Sequence, residues 1–257
     1  MIVDSHTHIG LMASFRYEAR SVSDILAACD RAGIHTLLAC HHLDLVYGPR
    51  AGEEAMRRAY EESGGRILAY CGFDPRLPDS ASVGERLLSA PPYVGIKIHP
   101  VFHATPAEDP RYADAFALAR DAGVPLMSHT WYRSAYNPPQ ALSLPERFRG
   151  HVERFPEVRF ILGHGGGGLD GLGSAIEMMR TYPNVHADLA GDVYERGMIR
   201  RLAEAAGPER ILFASDIPWL DPRAQLGCVL ASGLPDDALR LILGGNACRI
   251  FRIPQGA

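Results

Sequence analysis

Ile2-Val3-Asp4-Ser5-His6-Thr7-His8 is a short apolar start that turns polar and then carries two alternating histidines. Alternate residues of a strand share a face, so His6 and His8 project to one side if this run is a strand. The same shape, an apolar run closed by a ligand-type residue, recurs at intervals of about 25 to 35 residues, as βα repetition requires. Thr36 to Cys40 runs into His41-His42, Val94 to Ile98 contains Lys97 and precedes His99, and Pro125 to Ser128 precedes His129. Arg159 to Leu162 leads to Gly163-His164, and Ile211 to Ala214 leads to Ser215-Asp216. Ile67 to Gly72 and Val185 to Asp188 complete eight runs. Between them lie segments with helical spacing of Ala, Leu, Arg and Glu: Ser23 to Ala32, Glu53 to Glu62, Arg111 to Ala122, Pro145 to Phe155 and Val193 to Ala206. Gly33, Gly123 and Gly207 stand where three of these should stop. Eight such units in 257 residues predict an α/β fold, a single (β/α)8 TIM barrel domain over residues 1–257.

Composition narrows the function classes. The formal net charge is -4 and no basic run is interleaved with aromatics, so nucleic acid is not an expected partner. No apolar run approaches the roughly 18 residues of a membrane span. The early turn to polar residues leaves no room for a signal peptide, so a cytoplasmic protein acting on a small molecule is expected, with a homo-oligomer left open. Five cysteines (Cys29, Cys40, Cys71, Cys228, Cys248) are scattered and never form CxxC, which fits buried thiols in a reducing compartment better than disulfides or structural zinc. Among 26 basic residues Lys97 is the only lysine. Neither a GxSxG elbow nor a phosphate-binding P-loop is present.

Barrel active sites form where strands reach their carboxyl ends. Six of the eight runs end there in a potential ligand or proton carrier. The HxH pair alone would be weak, because eleven histidines make such a pair unremarkable. His129, His164 and Asp216 at equivalent ends of other strands change that, since a histidine placed only for packing has no reason to keep to one end. Together they read as a metal site. Gly163-His164-Gly165-Gly166-Gly167-Gly168 satisfies GxGxxG, and Asp188 follows at the next strand end, as a dinucleotide-binding reading requires. That motif lies in the sixth unit, however, and leaves the HxH, His129 and Asp216 unexplained.

The chain resembles the amidohydrolase superfamily, and more closely its amidohydrolase-related branch, which includes aminocarboxymuconate semialdehyde decarboxylase and several lactonases. The resemblance rests on Asp4-Ser5-His6-Thr7-His8, Gly95-Ile96-Lys97-Ile98-His99-Pro100, Ser128-His129, Gly163-His164-Gly165-Gly166, Ala214-Ser215-Asp216 and Gly245-Asn246-Ala247. It implies that His6, His8, His129 and Asp216 bind one divalent metal ion, with His164 beside it as a histidine that either supports the ligands or is catalytic. In binuclear members such as dihydroorotase, a lysine placed like Lys97 is carboxylated and bridges two metals, with His164 then also a ligand. Arginine could not do this, because a guanidinium stays protonated. Lys97 kept as an ammonium, binding a substrate carboxylate or standing behind the metal ligands, is the rival reading. Zinc is the default for imidazole and carboxylate ligands, with manganese, iron or cobalt also suited.

Further expected pocket residues are His41 and His99 at strand ends, Trp131 and Arg133 in the long loop after the fifth strand, and Trp219 beyond Asp216. Arg133 is the expected partner of an anionic substrate group. Asp188, at the end of the seventh strand, could hydrogen-bond a pocket residue, although the sequence names no partner. His35, His151 and His186 fall away from this rim and read as structural. The expected activity is hydrolysis of a carboxylated lactone, amide or ester by a metal-activated water, with Asp216 and His164 moving protons. Non-oxidative decarboxylation of a small carboxylic acid is the alternative, and a non-catalytic metal-binding protein the second alternative.

Overall fold

The computed structural model describes residues 1–10, 12 and 21–254. Its strands are β1 (Ile2–Ile9), β2 (Ile34–His41), β3 (Ile67–Gly72), β4 (Tyr93–Ile98), β5 (Leu126–His129), β6 (Phe160–Gly163), β7 (Val185–Asp188) and β8 (Ile211–Leu212). They form one parallel sheet in sequence order. Closure is made by β1 against the segment from Phe213 onward: Ser5 N donates to Phe213 O at 3.0 Å, Asp216 N to His6 O at 3.0 Å, and His8 N to Ile217 O at 2.8 Å. This is the predicted (β/α)8 barrel.

The helices α1 (Val22–Ala32), α2 (His42–Tyr47), α3 (Glu53–Glu62), α4 (Ser80–Leu88), α5 (Ala113–Ala122) and α6 (Arg149–Arg154) follow the first five strands. They continue as α7 (Leu169–Thr181), α8 (Met198–Ala206), α9 (Pro222–Leu230), α10 (Asp236–Arg240) and α11 (Asn246–Phe251). Ser21 starts α1 with a reciprocal capping box to Asp24. The expected helix from Val193 begins only at Met198, because Gly197 just before it is left-handed at φ 77.

β1 runs beyond Ser5 because residues to Ile9 pair with β2 on one side while the eighth segment closes the other. A register shift between Asp4 and Thr7 lies where His6 sits. β8 is shorter than expected: Phe213 N turns to Ile242 O, and Asp4 takes over the backbone beyond it. Inside the barrel, Val3, Leu38, Tyr70, Met127, Ile161 and Leu212 form one core layer, and Phe251 of α11 packs edge-on to Tyr70 from below. The larger core lies between strands and helices. Four of the five cysteines are buried as expected, Cys228 is half-buried, and all are free thiols. No described helix is long and apolar enough to cross a membrane.

Candidate metal centre and active site

His6 and His8 both turn inward from β1 and are buried. Their Nε2 atoms each lie 3.4 Å from Asp216 Oδ1. That oxygen is buried and has no hydrogen-bond partner among the described residues. His6, His8 and Asp216 thus offer three donor atoms within 4.8 Å of one another. Burial pushes both imidazoles well below their ordinary pKa, which keeps their lone pairs available. Neutral imidazoles converging on an unpartnered buried carboxylate oxygen are the donor set a divalent cation requires.

The barrel holds this set from behind. Asp188 Oδ2 lies 3.0 Å from His6 Nδ1, while its Oδ1 accepts from His164 N at 2.8 Å and Ala190 N at 3.0 Å. His6 therefore carries its hydrogen on Nδ1 and presents the Nε2 lone pair to the centre. Asp4 accepts from Ser215 N at 3.0 Å and Ser215 Oγ at 2.5 Å, fixing the residue before Asp216. Burial raises the Asp4 carboxyl to about 7 despite the bonds from Ser215.

Asp216 and His164 both have left-handed backbones, at φ 66 and 62. Such strain costs on the order of 1–3 kcal/mol per non-glycine residue and concentrates at working sites. His164 Nδ1 stands 3.8 Å from Asp216 Oδ2, buried and without a hydrogen bond among the described residues. Burial pushes this imidazole down to about 3. A Cβ at Gly191 would stand 2.7 Å from that nitrogen, so the glycine gives the ring its space. In the glycine run after β6, a Cβ on Gly166 would meet Gly171 O at 2.1 Å. Close backbone packing accounts for that glycine, in keeping with the rejection of a dinucleotide motif.

Lys97 is buried beneath the centre, with Nζ 2.7 Å from His6 Nε2 and 3.2 Å from Met127 Sδ. Burial brings its amine down to about 8, opposed by Asp188 and Asp216. It contacts a candidate ligand and is not part of the cavity wall. His129 does line the cavity, but neither of its nitrogens joins the compact sets His6/His8/Asp216 and His6/His164/Asp188. Its Nε2 is instead 2.8 Å from Gln140 Oε1.

A cavity of about 300 Å³ opens over the centre. His99 stacks on Phe102 at 3.9 Å and on His129 at 4.2 Å, and His129 stacks on Trp131 at 5.8 Å. Trp219 stacks on His8 at 3.8 Å. The cavity is therefore walled by flat rings, with the polar groups Asn137, Gln140 and Asp192 also lining it.

Two expected pocket residues lie elsewhere. His41 packs against Gly10 and Gly52, and its Nδ1 accepts from Leu43 N at 3.2 Å, so it caps α2. Its neighbour His42 instead presents its ring to Phe102 and Trp219. Arg133 is exposed and bonded to Asp170 Oδ2 at 2.8 Å and Glu146 Oε1 at 3.1 Å. It braces its loop and is absent from the cavity wall.

The family model for amidohydrolases matches residues 3–253. The chain belongs to the amidohydrolase family. Solved structures similar to this amidohydrolase-family barrel include 5-carboxyvanillate decarboxylase from Sphingomonas paucimobilis, at 18% identity and TM-score 0.75, covering 98% of this chain and 99% of that one. 2,6-Dihydroxybenzoate decarboxylase from Rhizobium is similar at 17% identity and TM-score 0.75, covering 98% of each chain. A dihydroxybenzoic acid decarboxylase from Polaromonas sp. JS666, solved with manganese and 2-nitroresorcinol, gives 14% identity and TM-score 0.79, covering 99% of this chain and 98% of that one. At these identities the likeness is one of fold. No curated protein matches.

Sequence reasoning expected Asp188 to bond a pocket residue without naming His6, and it missed the parts played by Gln140 and Asn137. Asp188 had a signal, its place at a strand end. The two amides had none, because they stand in a loop whose path no local pattern fixes.

Proposed function

We propose that this amidohydrolase-family chain is a metal-dependent, non-oxidative decarboxylase of a small planar carboxylic acid. The sequence alone favours hydrolysis. The observation that carries the change is the cavity above His6, His8 and Asp216, lined largely by aromatic and imidazole rings, which suits a small conjugated substrate better than a strongly polar one. Full-length similarity to decarboxylases named for aromatic acids supports the same reading.

His6, His8 and Asp216 would hold the cation, with His129 as the fourth ligand that the family resemblance implies. A divalent ion such as manganese or zinc would supply Lewis acidity toward substrate oxygens. Trp131, His99 and Phe102 line the cavity and would keep water from a bound substrate. When the carbon–carboxylate bond breaks, carbon dioxide leaves and the electron pair stays on the substrate carbon. One proton then takes the place of the lost group. His164 Nδ1 and Asp216 Oδ2, 3.8 Å apart, are placed to hold and deliver it. Lys97 does not line the substrate cavity, and its Nζ, 2.7 Å from the His6 nitrogen that would hold the cation, would give up that contact when the ion is bound.

The test is to load the protein with Mn2+ or Zn2+ and offer hydroxylated benzoates beside carboxylated lactones in deuterated water. Carbon dioxide release with one deuterium in the product is expected. Ring-opened lactone without carbon dioxide would return the reading to hydrolysis.

A further inference from the structure

Gln140 belongs to a short turn, Pro138–Ser143, in the loop after β5, and it lines the cavity. The turn is anchored through its own backbone: Gln140 N donates to Asn137 O at 3.1 Å, and Ser143 Oγ donates to Gln140 O at 2.9 Å. From this base the side chain places Oε1 2.8 Å from His129 Nε2. An amide oxygen only accepts, so His129 Nε2 carries the hydrogen and Nδ1 keeps the lone pair.

The rings around His129 cannot make that choice. His99 and Trp131 lie within 7° and 9° of parallel to it, which fixes the plane of the imidazole. Stacking does not distinguish Nδ1 from Nε2. The hydrogen bond to Gln140 does, in the way Asp188 does for His6. The two imidazoles are thereby held in opposite tautomers, His6 by a carboxylate of the barrel and His129 by an amide of the rim loop.

We propose that Gln140 is the positioning residue for His129, selecting Nδ1 as the nitrogen that His129 gives to a divalent cation. The inference rests on the proposed reading of His129 as a ligand. Partners on the far nitrogen of a ligating histidine typically change metal affinity about 10- to 100-fold, because they set both tautomer and basicity. The loop that shapes the substrate cavity would then also orient one metal ligand.

The experiment is a Mn2+ titration of metal-stripped protein, comparing wild type with Gln140→Leu, Gln140→Glu and His129→Ala, together with 15N spectra of the His129 ring before Mn2+ is added. Gln140→Leu is expected to bind Mn2+ about 10- to 100-fold more weakly and to lose the Nε2–H tautomer, while Gln140→Glu, still an acceptor, keeps the tautomer and binds within about threefold of wild type or tighter. A purely structural role would weaken the Glu and Leu variants alike, and that result overturns the proposal. So does a Leu variant with wild-type affinity when His129→Ala has lost the ion. Wild-type Mn2+ binding by His129→Ala would instead remove the ligand reading itself, and the proposal with it.

Discussion

The histidines at the two ends of the barrel have the same chemistry and opposite surroundings. Toward the base and the outer layer, His35 Nδ1 accepts from Ile2 N at 3.1 Å, His186 Nδ1 lies 3.1 Å from Asn184 O, and His151 Nε2 lies 3.2 Å from Asp109 O. Each is satisfied by backbone. At the carboxyl end, His6 and His8 turn nitrogens toward the same carboxylate, Asp216, and His164 Nδ1 faces it as well. The lesson is that burial alone does not mark a working histidine. His186 is as buried as His164, and burial lowers both, to about 4 and about 3. What differs is whether a backbone group or another ligand atom stands opposite the ring.

The contrast breaks most directly at His6. His6→Ala should leave the protein folded but without bound metal, with turnover lower by roughly three orders of magnitude or more, as when one member of a catalytic unit is removed. Metal content measured beside circular dichroism checks it, and full metal retention would put His6 on the structural side. The next effect is smaller. Asp188→Ala should weaken metal binding about 10- to 100-fold by freeing the His6 tautomer, and Asp188→Asn, which still accepts a hydrogen bond, should lose less.

Asp44 tests whether a rim position is enough for function. It lies in α2, accepts from Gly52 N at 2.6 Å with Oδ1, and leaves Oδ2 buried without a partner among the described residues. Burial raises its pKa to about 8. The folded state thus holds a proton that the unfolded chain has released above 3.8. The stabilisation is fully present below the unfolded value and is lost as pH rises toward about 8, at up to about 1.4 kcal/mol per pH unit. Asp44→Asn should flatten that slope between pH 5 and 8 in denaturant titrations while leaving metal content unchanged. The smallest effect belongs to the base: His35→Ala should shift stability by no more than about 0.5 kcal/mol, since its partner Ile2 N can turn to water, with metal content as in wild type.

Much of this was legible in the sequence because its signals are local. Glu53 to Glu62 and Ile67 to Gly72 have the bounds that periodicity predicts, and His6, His8, His164 and Asp216 come together as strand ends should. Arg133 misleads because a charged loop residue next to an active site reads as a substrate anchor, whereas Asp170 and Glu146 reach it across the fold. His41 misleads because one of two adjacent histidines must face away, and only the packing against Gly10 and Gly52 decides which.

By itself the sequence determined the barrel, its working end and the residue types that meet there, since strand and helix periods and the alternation of side chains act between near neighbours. Only the tertiary structure decided how those residues are held. Asp188 meets His6 across 182 residues of chain, and the Gln140 amide reaches His129 from an anchored loop. Hydrogen bonds are directional and short, so which nitrogen faces the centre depends on strands and loops brought together by closure of the barrel, and no local pattern carries that information.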